Sequence, residues 1–293
     1  MNSEPDWNLY RTFLAVLQEG SLSSAARQLD LTQPTVTRHI DALEKSTGVN
    51  LFLRTQRGLT PTDTALKLVP HVRTLAATAA ALMRLASDRT GEVRGTVRVT
   101  ASEVVCIEHL PRILAGLRRQ HPRLVIELAV SNAVDDLLRQ EADIAVRMTE
   151  PVQDVLLARR LPSIELGLYA HRDYLAQRGV PASMASIADH DLIGFDQEIP
   201  RLRAFVQRFP ALNRSGFALR TDSDIAQLAA IRAGFGIGIC QVPVASRDSD
   251  LMRVLPDIVS VELSLWVAMH EDLKTSARCK AVFDALVEGL SVP

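Results

Sequence analysis

Between residues 8 and 48 the apolar positions recur at spacings of three and four, the period of helices with one buried face. Leu9, Phe13, Val16 and Leu17 mark a first helix over residues 8–19, which Gly20 ends. Leu22, Ala25, Ala26 and Leu29 mark a second, opened by Ser21 as N-cap. Asp30-Leu31 makes a short connection, after which Val36, Ile40 and Leu43 carry a third helix, capped by Thr32 and closed by Gly48. Pro34 falls in its first turn, where a missing N–H removes no intrahelical bond, so the Thr32 hydroxyl should accept from Thr35. The small pair Ala25-Ala26 lets the second and third helices cross closely, as a helix-turn-helix requires.

Further along, the pattern changes twice. Residues 49–58, VNLFLRTQRG, read as an apolar strand followed by a basic, glycine-containing turn, the shape of a wing. From Asp63 to about Arg89, Ala65, Leu68, Val72, Leu75, Ala79, Leu82 and Ala86 alternate at spacings of three and four. That is a coiled-coil seam on one long helix, and the simplest partner is the same helix of a second subunit. The alternative is a helix packed on its own domain. Pro70 should bend its early part.

Beyond the polar stretch 87–92 strands and helices alternate. GTVRVTA, a helix from Glu103 to His121, LVIELAV, a helix near Val134 to Gln140 and ADIAVRM form a βαβαβ pattern with a parallel sheet. ELGLYA, helices near Tyr174 and Met184, DLIGF, a helix from Leu202 to Arg208, FALRTD, a helix from Ile225 to Ala233 and GIGIC repeat the theme. VSVELSLWVAMH then returns the chain to the first lobe, and an amphipathic helix from Ser276 to Leu290 finishes it. Two crossings between lobes suit a hinged clamp around a small molecule. The expected division is 1–62, 63–89, and 90–293 as two α/β lobes, one of 90–162 plus 268–293 and the other of 163–267.

The third helix carries the chemistry of base reading. Gln33, Thr35, Thr37, Arg38 and Asp41 occupy its exposed faces; Gln suits adenine, Arg guanine, and Thr a base edge or phosphate. Gln33, Pro34, Thr37 and Arg38 are expected near bases, and Ser21, Thr35, Arg54 and Arg57 near phosphates, although the last two could be ordinary solvated charges. Bulk charge adds little, since positions 1–90 hold ten basic against eight acidic residues and the whole chain sums to −1.

These residues resemble the LysR-type transcriptional regulators. Phe13, Gly20-Ser21, Ala25-Ala26, Leu29, Thr32-Gln33-Pro34, Val36-Thr37, Leu43-Glu44, Gly48, Leu51-Phe52 and Arg54 stand in that family's order. Pro61-Thr62-Asp63-Thr64-Ala65 departs from it where a glycine is usual. The second half is similar to the family's effector domain, itself like periplasmic solute-binding proteins. The resemblance implies an all-α winged helix-turn-helix joined by a long linker helix to a two-lobed α/β effector domain. It implies a homodimer that pairs into a homotetramer, an interrupted inverted repeat in double-stranded DNA as target, and RNA polymerase as a further partner.

Ligand contacts are expected where strands end. Ser102 follows GTVRVTA and, by family position, leads the candidates with the adjoining N–H groups of Glu103 and Val104. Ser131-Asn132, Arg147, Phe195 and Thr221-Asp222-Ser223 end the other strands. Arg147 points to a carboxylate effector; its bland reading is a salt bridge to Glu103, as that of Ser102 is a helix cap. The dimer seam is assigned to Leu68, Val72, Leu75 and Leu82.

An enzyme on the same scaffold is disfavoured. Gly234-Phe235-Gly236-Ile237-Gly238 lies between a helix and a strand, the reverse of a dinucleotide loop, so close packing accounts for it. The histidines are scattered, no G-x-S-x-G occurs, and Asp135-Asp136 reads as a solvated helix pair. Cys106, Cys240 and Cys279 lack metal or disulfide spacing and read as packing residues, with a redox-sensing pair as the alternative. A solute-binding module alone leaves the first 60 residues unexplained. With a polar, acidic start and no apolar run long enough to span a bilayer, the protein is expected in the cytoplasm, away from membranes and with no cofactor or metal.

Overall fold

The computed structural model describes residues 5–55, 58–86, 91–131, 142–151, 156–197 and 203–291. They fall into two compact units, one within Met1–Ala86 and the other within Ser87–Leu137 and Ala142–Pro293. The predicted helix near Val134 to Gln140, residues 87–90 of the polar stretch 87–92, Arg57 and Asn132 lie outside the described residues.

The first unit opens with α1 (Trp7–Glu19), α2 (Leu22–Leu29) and α3 (Gln33–Thr47). The expected caps form: Ser21 Oγ accepts from the Ser24 N–H at 3.2 Å and Thr32 Oγ1 from the Thr35 N–H at 3.4 Å. Gly20 and Gly48 stop their helices at positive φ, which a Cβ disfavours. Asp30 does the same between α2 and α3 at φ 55, a left-handed stop that short polar side chains tolerate. Phe13, Val16, Ala25, Val36, Leu43 and Leu51 are all but inaccessible to solvent and form one core. Full burial of such a large side chain stabilises by about 1.5–3 kcal/mol, which holds three short helices that would be marginal alone. The wing is the hairpin of β1 (Phe52–Thr55) and β2 (Gly58–Pro61).

Helix α4 (Asp63–Ala86) is longer than any other described helix, spanning roughly 36 Å at 1.5 Å per residue. Thr62 makes the entry: its hydroxyl donates to the Asn50 carbonyl at 2.9 Å and accepts from the Ala65 N–H at 3.1 Å. The predicted seam needs correction in its first half. Ala65, Val69 and Val72 are buried in the helix-turn-helix core, with Leu68 packed against it, so this stretch serves its own domain. Leu75 and Leu82, 48% and 61% exposed, keep the character of an interface.

In the second unit, β3 (Gly95–Ala101) pairs in parallel with β4 (Leu124–Val130) and β5 (Ile144–Arg147), as the βαβαβ pattern predicts. The helix between β3 and β4 contains a π-helical turn, Val105–His109, before α5 (Leu110–Gln120). A difference follows: β6 (Leu156–His171) is a 16-residue strand, extending well before the six-residue ELGLYA segment. The second lobe contains α6 (Arg172–Arg178), β7 (Leu192–Gly194), α7 (Arg203–Arg208), β8 (Phe217–Arg220), α8 (Asp224–Arg232) and β9 (Gly238–Gln241). Next come α9 (Val242–Ala245) and β10 (Leu251–Val254), neither of which the pattern indicated, then β11 (Val261–His270) and α10 (Ala277–Ser291). The strand order is β10-β6-β11-β5-β3-β4, with β9 also on β6. Both crossings between lobes are thus the antiparallel ribbon of β6 and β11. Leu161, Leu265 and Val267 belong to the first lobe's core, and Leu168 and Ala170 to the second's, so the chain returns to the first lobe before residue 268.

Candidate DNA-reading face and interlobe cleft

On α3, Gln33, Pro34 and Arg38 are exposed, and Thr35 and Thr37 half-buried. Thr37 Oγ1 donates to the Gln33 carbonyl at 3.1 Å, and Thr35 Oγ1 lies 2.9 Å from the hydroxyl of the N-cap Thr32, so one hydroxyl is held on the backbone and the other on the cap. Two contacts missed in the sequence fix how this helix sits. Thr12 Oγ1 donates to the Asn8 carbonyl at 2.7 Å and lies 2.8 Å from His39 Nδ1, which donates to it in return, tying α1 to α3. Glu44 Oε1 accepts from the Leu51 and Phe52 N–H groups at 2.6 and 3.2 Å, tying the end of α3 to the wing. A lone acid two turns before a strand carries no signal of that bond. The Arg54 side chain, like Arg57, lies outside the described residues.

In the second unit a cavity of about 450 Å³ opens between the lobes. Three of the nominated residues, Ser102, Arg147 and Phe195, wall it. Ser102 Oγ is buried and has no hydrogen-bond partner among the described residues, so it does not cap the following helix. A buried polar atom left unpartnered by the protein is where a ligand or water is expected. Arg147 donates to Thr100 Oγ1 and to the Val146 carbonyl, both at 3.0 Å, which fixes its guanidinium beside the cleft. Arg208, which the strand-end rule could not find because it lies on α7, adds a second cation to the wall.

The other nominated residues take different work. Glu103 Oε2 accepts from Ser223 Oγ at 2.9 Å and from the Ile225 N–H at 3.3 Å, so its carboxylate occupies the positive end of α8 instead of pairing with Arg147. Asp222 accepts from the Asp196 and Gln197 N–H groups at 3.0 and 2.9 Å. Thr221 holds Gln227, whose amide donates to its carbonyl at 2.9 Å. Ser131 bonds its N–H to the Ala101 carbonyl, and neither it nor Thr221, Asp222 or Ser223 walls the cavity. Strand ends define the cleft rim, but the N-terminus of α8 claims Glu103 and Ser223, and the 196–197 turn claims Asp222.

Among the described residues Glu103, Glu108 and His109 each tie the first lobe to the second. Arg232 donates to Glu108 at 2.8 Å and Arg247 to the Glu108 carbonyl at 2.7 Å. His109 Nε2 lies 2.8 Å from Gln241 Oε1, and since that amide oxygen only accepts, the ring donates. Burial holds the His109 imidazole below its ordinary value, consistent with the neutral donor. Cys240, also on the wall, is pushed up to about 12 by burial, and Cys106 is likewise raised, as befits thiols that serve packing. The glycine-rich stretch is close packing too, because a Cβ on Gly236 would stand 1.9 Å from the Asp191 carbonyl oxygen.

A winged helix-turn-helix in one unit and a walled cleft between two α/β lobes in the other define a ligand-responsive DNA-binding regulator. Residues 7–66 match the bacterial regulatory helix-turn-helix proteins of the lysR family, and residues 90–291 match the LysR substrate binding domain. The chain belongs to the LysR family of transcriptional regulators. It is 25% identical to the probable HTH-type transcriptional regulator LtrA of Klebsiella pneumoniae over 98% of this chain and 95% of that one. It is 26% identical to PgrR of Escherichia coli, a match spanning 62% of this chain and 61% of PgrR's own length. Among solved structures, CrgA of Neisseria meningitidis superposes with a TM-score of 0.60 at 24% identity over 97% of this chain and 98% of that one. CbnR, solved with its target DNA, gives 0.65 at 20% identity over 97% and 99%. Family members are regulators and not enzymes. Among the described residues no helix is long and apolar enough to cross a membrane.

Proposed function

We propose that this protein binds an interrupted inverted repeat as a dimer and changes its hold on a promoter when a small carboxylate enters the interlobe cleft. Gln33, Pro34, Thr37 and Arg38 read bases, while Ser21, Thr35, Arg54 and Arg57 hold phosphates; the exposure of Gln33, Pro34 and Arg38 on α3 supports this assignment. The dimer forms through Leu75 and Leu82 of α4, supported by their exposure at a seven-residue interval. A tetramer forms by pairing of regulatory units, supported by β4, the outer strand of its sheet, where Val125, Leu128 and Val130 are exposed. The protein works in the cytoplasm and acts on RNA polymerase at the promoter it occupies.

The observation that carries this reading is the unpartnered Ser102 hydroxyl on the wall of a cleft that also presents Arg147. A carboxylate would accept from both, and closure around it would change the spacing of the DNA-binding units in the assembly, coupling two distinct sites. The test is Ser102→Ala and Arg147→Ala, measured for DNA affinity and for response at a regulated promoter. Loss of response with DNA affinity kept supports the reading; a wild-type response in both variants refutes it.

A further inference from the structure

In the second lobe, beside the cleft, lies another chamber of about 320 Å³, also open to solvent. Phe195, Phe205, Gln227 and Ile239 wall both spaces, so the chamber and the cleft are neighbours across a mostly apolar partition. Leu168, Ile193, Leu212, Phe217 and Ile237 line the chamber itself. Apolar side chains around an unfilled pocket forgo dispersion contacts that a ligand could supply. An apolar group lying against these side chains recovers those contacts, whereas a hydroxyl or amide pressed on them would lose its hydrogen bonds to water.

Gln197, Gln207, Asn213 and Arg214 also line the chamber, three of them exposed to solvent, and the cleft has its own polar groups. Ser102, Arg147 and Arg208 reach the cleft wall, against a single carboxylate there, that of Asp224. Polar groups at one end fix a ligand's orientation, and apolar walls beyond them supply affinity. Resting on the effector reading above, we propose that the effector is a carboxylate with an extended apolar tail. Its head sits at Ser102 and Arg147, and its tail runs past Phe195 and Phe205 into the second-lobe chamber.

The experiment uses the full-length protein with butanoate, hexanoate, octanoate and decanoate as probes, 1-decanol as a chargeless control, and titration calorimetry below micelle-forming concentrations. Affinity should rise by about fourfold per methylene once the tail enters the chamber, leaving decanoate at least roughly a hundredfold tighter than butanoate. Val206→Trp, which fills the chamber from a residue that does not wall the cleft, should collapse that ratio. The series on unaltered protein decides the matter even if the variant does not fold. Equal affinity along the series, no binding of decanoate, or decanol binding as well as decanoate overturns the proposal. Should Arg147→Gln weaken all four acids alike while chain length has no effect, the carboxylate cleft stands without the chamber. If Arg147→Gln changes none of them, the cleft reading itself fails.

Discussion

Glu103 and Ser223, 120 residues apart, meet across the two lobes, the serine hydroxyl donating to the carboxylate at 2.9 Å while Ser223 also caps α8. The pair joins the segment that follows β3 to the helix that walls the cleft, so it is both a cap and a brace. Glu103→Ala should destabilise the regulatory unit by about 0.5–2 kcal/mol, the usual loss for a helix N-cap acceptor. Denaturant midpoints measure it, and Glu103→Gln, which keeps an acceptor, should recover part of the loss. Identical midpoints for Glu103→Ala and the parent protein would remove the brace.

Arg38 is exposed on α3, outside the hydrophobic core of its unit. Arg38→Ala is therefore expected to leave the melting temperature unchanged, to weaken binding to the preferred site by about 1–3 kcal/mol, and to relax base preference. Arg57→Ala should weaken all sequences alike and flatten the salt dependence. Binding to selected and to random DNA at several salt concentrations separates the two roles; equal losses on both DNAs for Arg38→Ala would exclude base reading.

Along α4, burial divides one heptad stripe into two roles. Leu75→Glu with Leu82→Glu should give monomers by sedimentation and abolish tight binding to the repeat, because each charge would be buried in a seam. Val72→Ala should instead lower the stability of the first unit, by about 1–2 kcal/mol, with assembly retained. A double glutamate variant that still sediments as the parent would place the seam elsewhere.

His109 makes the brace sensitive to acid. The unfolded ring takes up a proton below its ordinary value near 6.5, whereas burial keeps the folded ring neutral to lower pH. Its contribution to stability is therefore complete above about pH 6.5 and is lost as pH falls toward the folded value. Urea midpoints at about pH 7.5 and about pH 5.5 should fall more steeply for the parent than for His109→Gln. Parallel losses in the two proteins would show that His109 does not set this slope.

The sequence by itself determined everything that rests on local periodicity and capping. The three helices with Ser21, Thr32 and Gly48 at their ends, the wing, and β3 through β5 were legible because each is dictated by residues a few positions apart. Ser102, Arg147 and Phe195 were legible as cleft residues for a related reason: an open parallel sheet presents its strand ends at one edge. What tertiary structure decided is which partner each side chain takes. The seam pattern of α4 looks the same at Val72 and Leu75, and only packing against α1–α3 buries one and exposes the other. Glu103 reads as a cleft residue until α8, 120 positions later, claims its carboxylate, and Arg208 enters the cleft from a helix whose position no local pattern gives. Periodicity fixes which face of an element is apolar, but the choice among competing partners is made by long-range contacts whose energies a one-dimensional pattern does not contain.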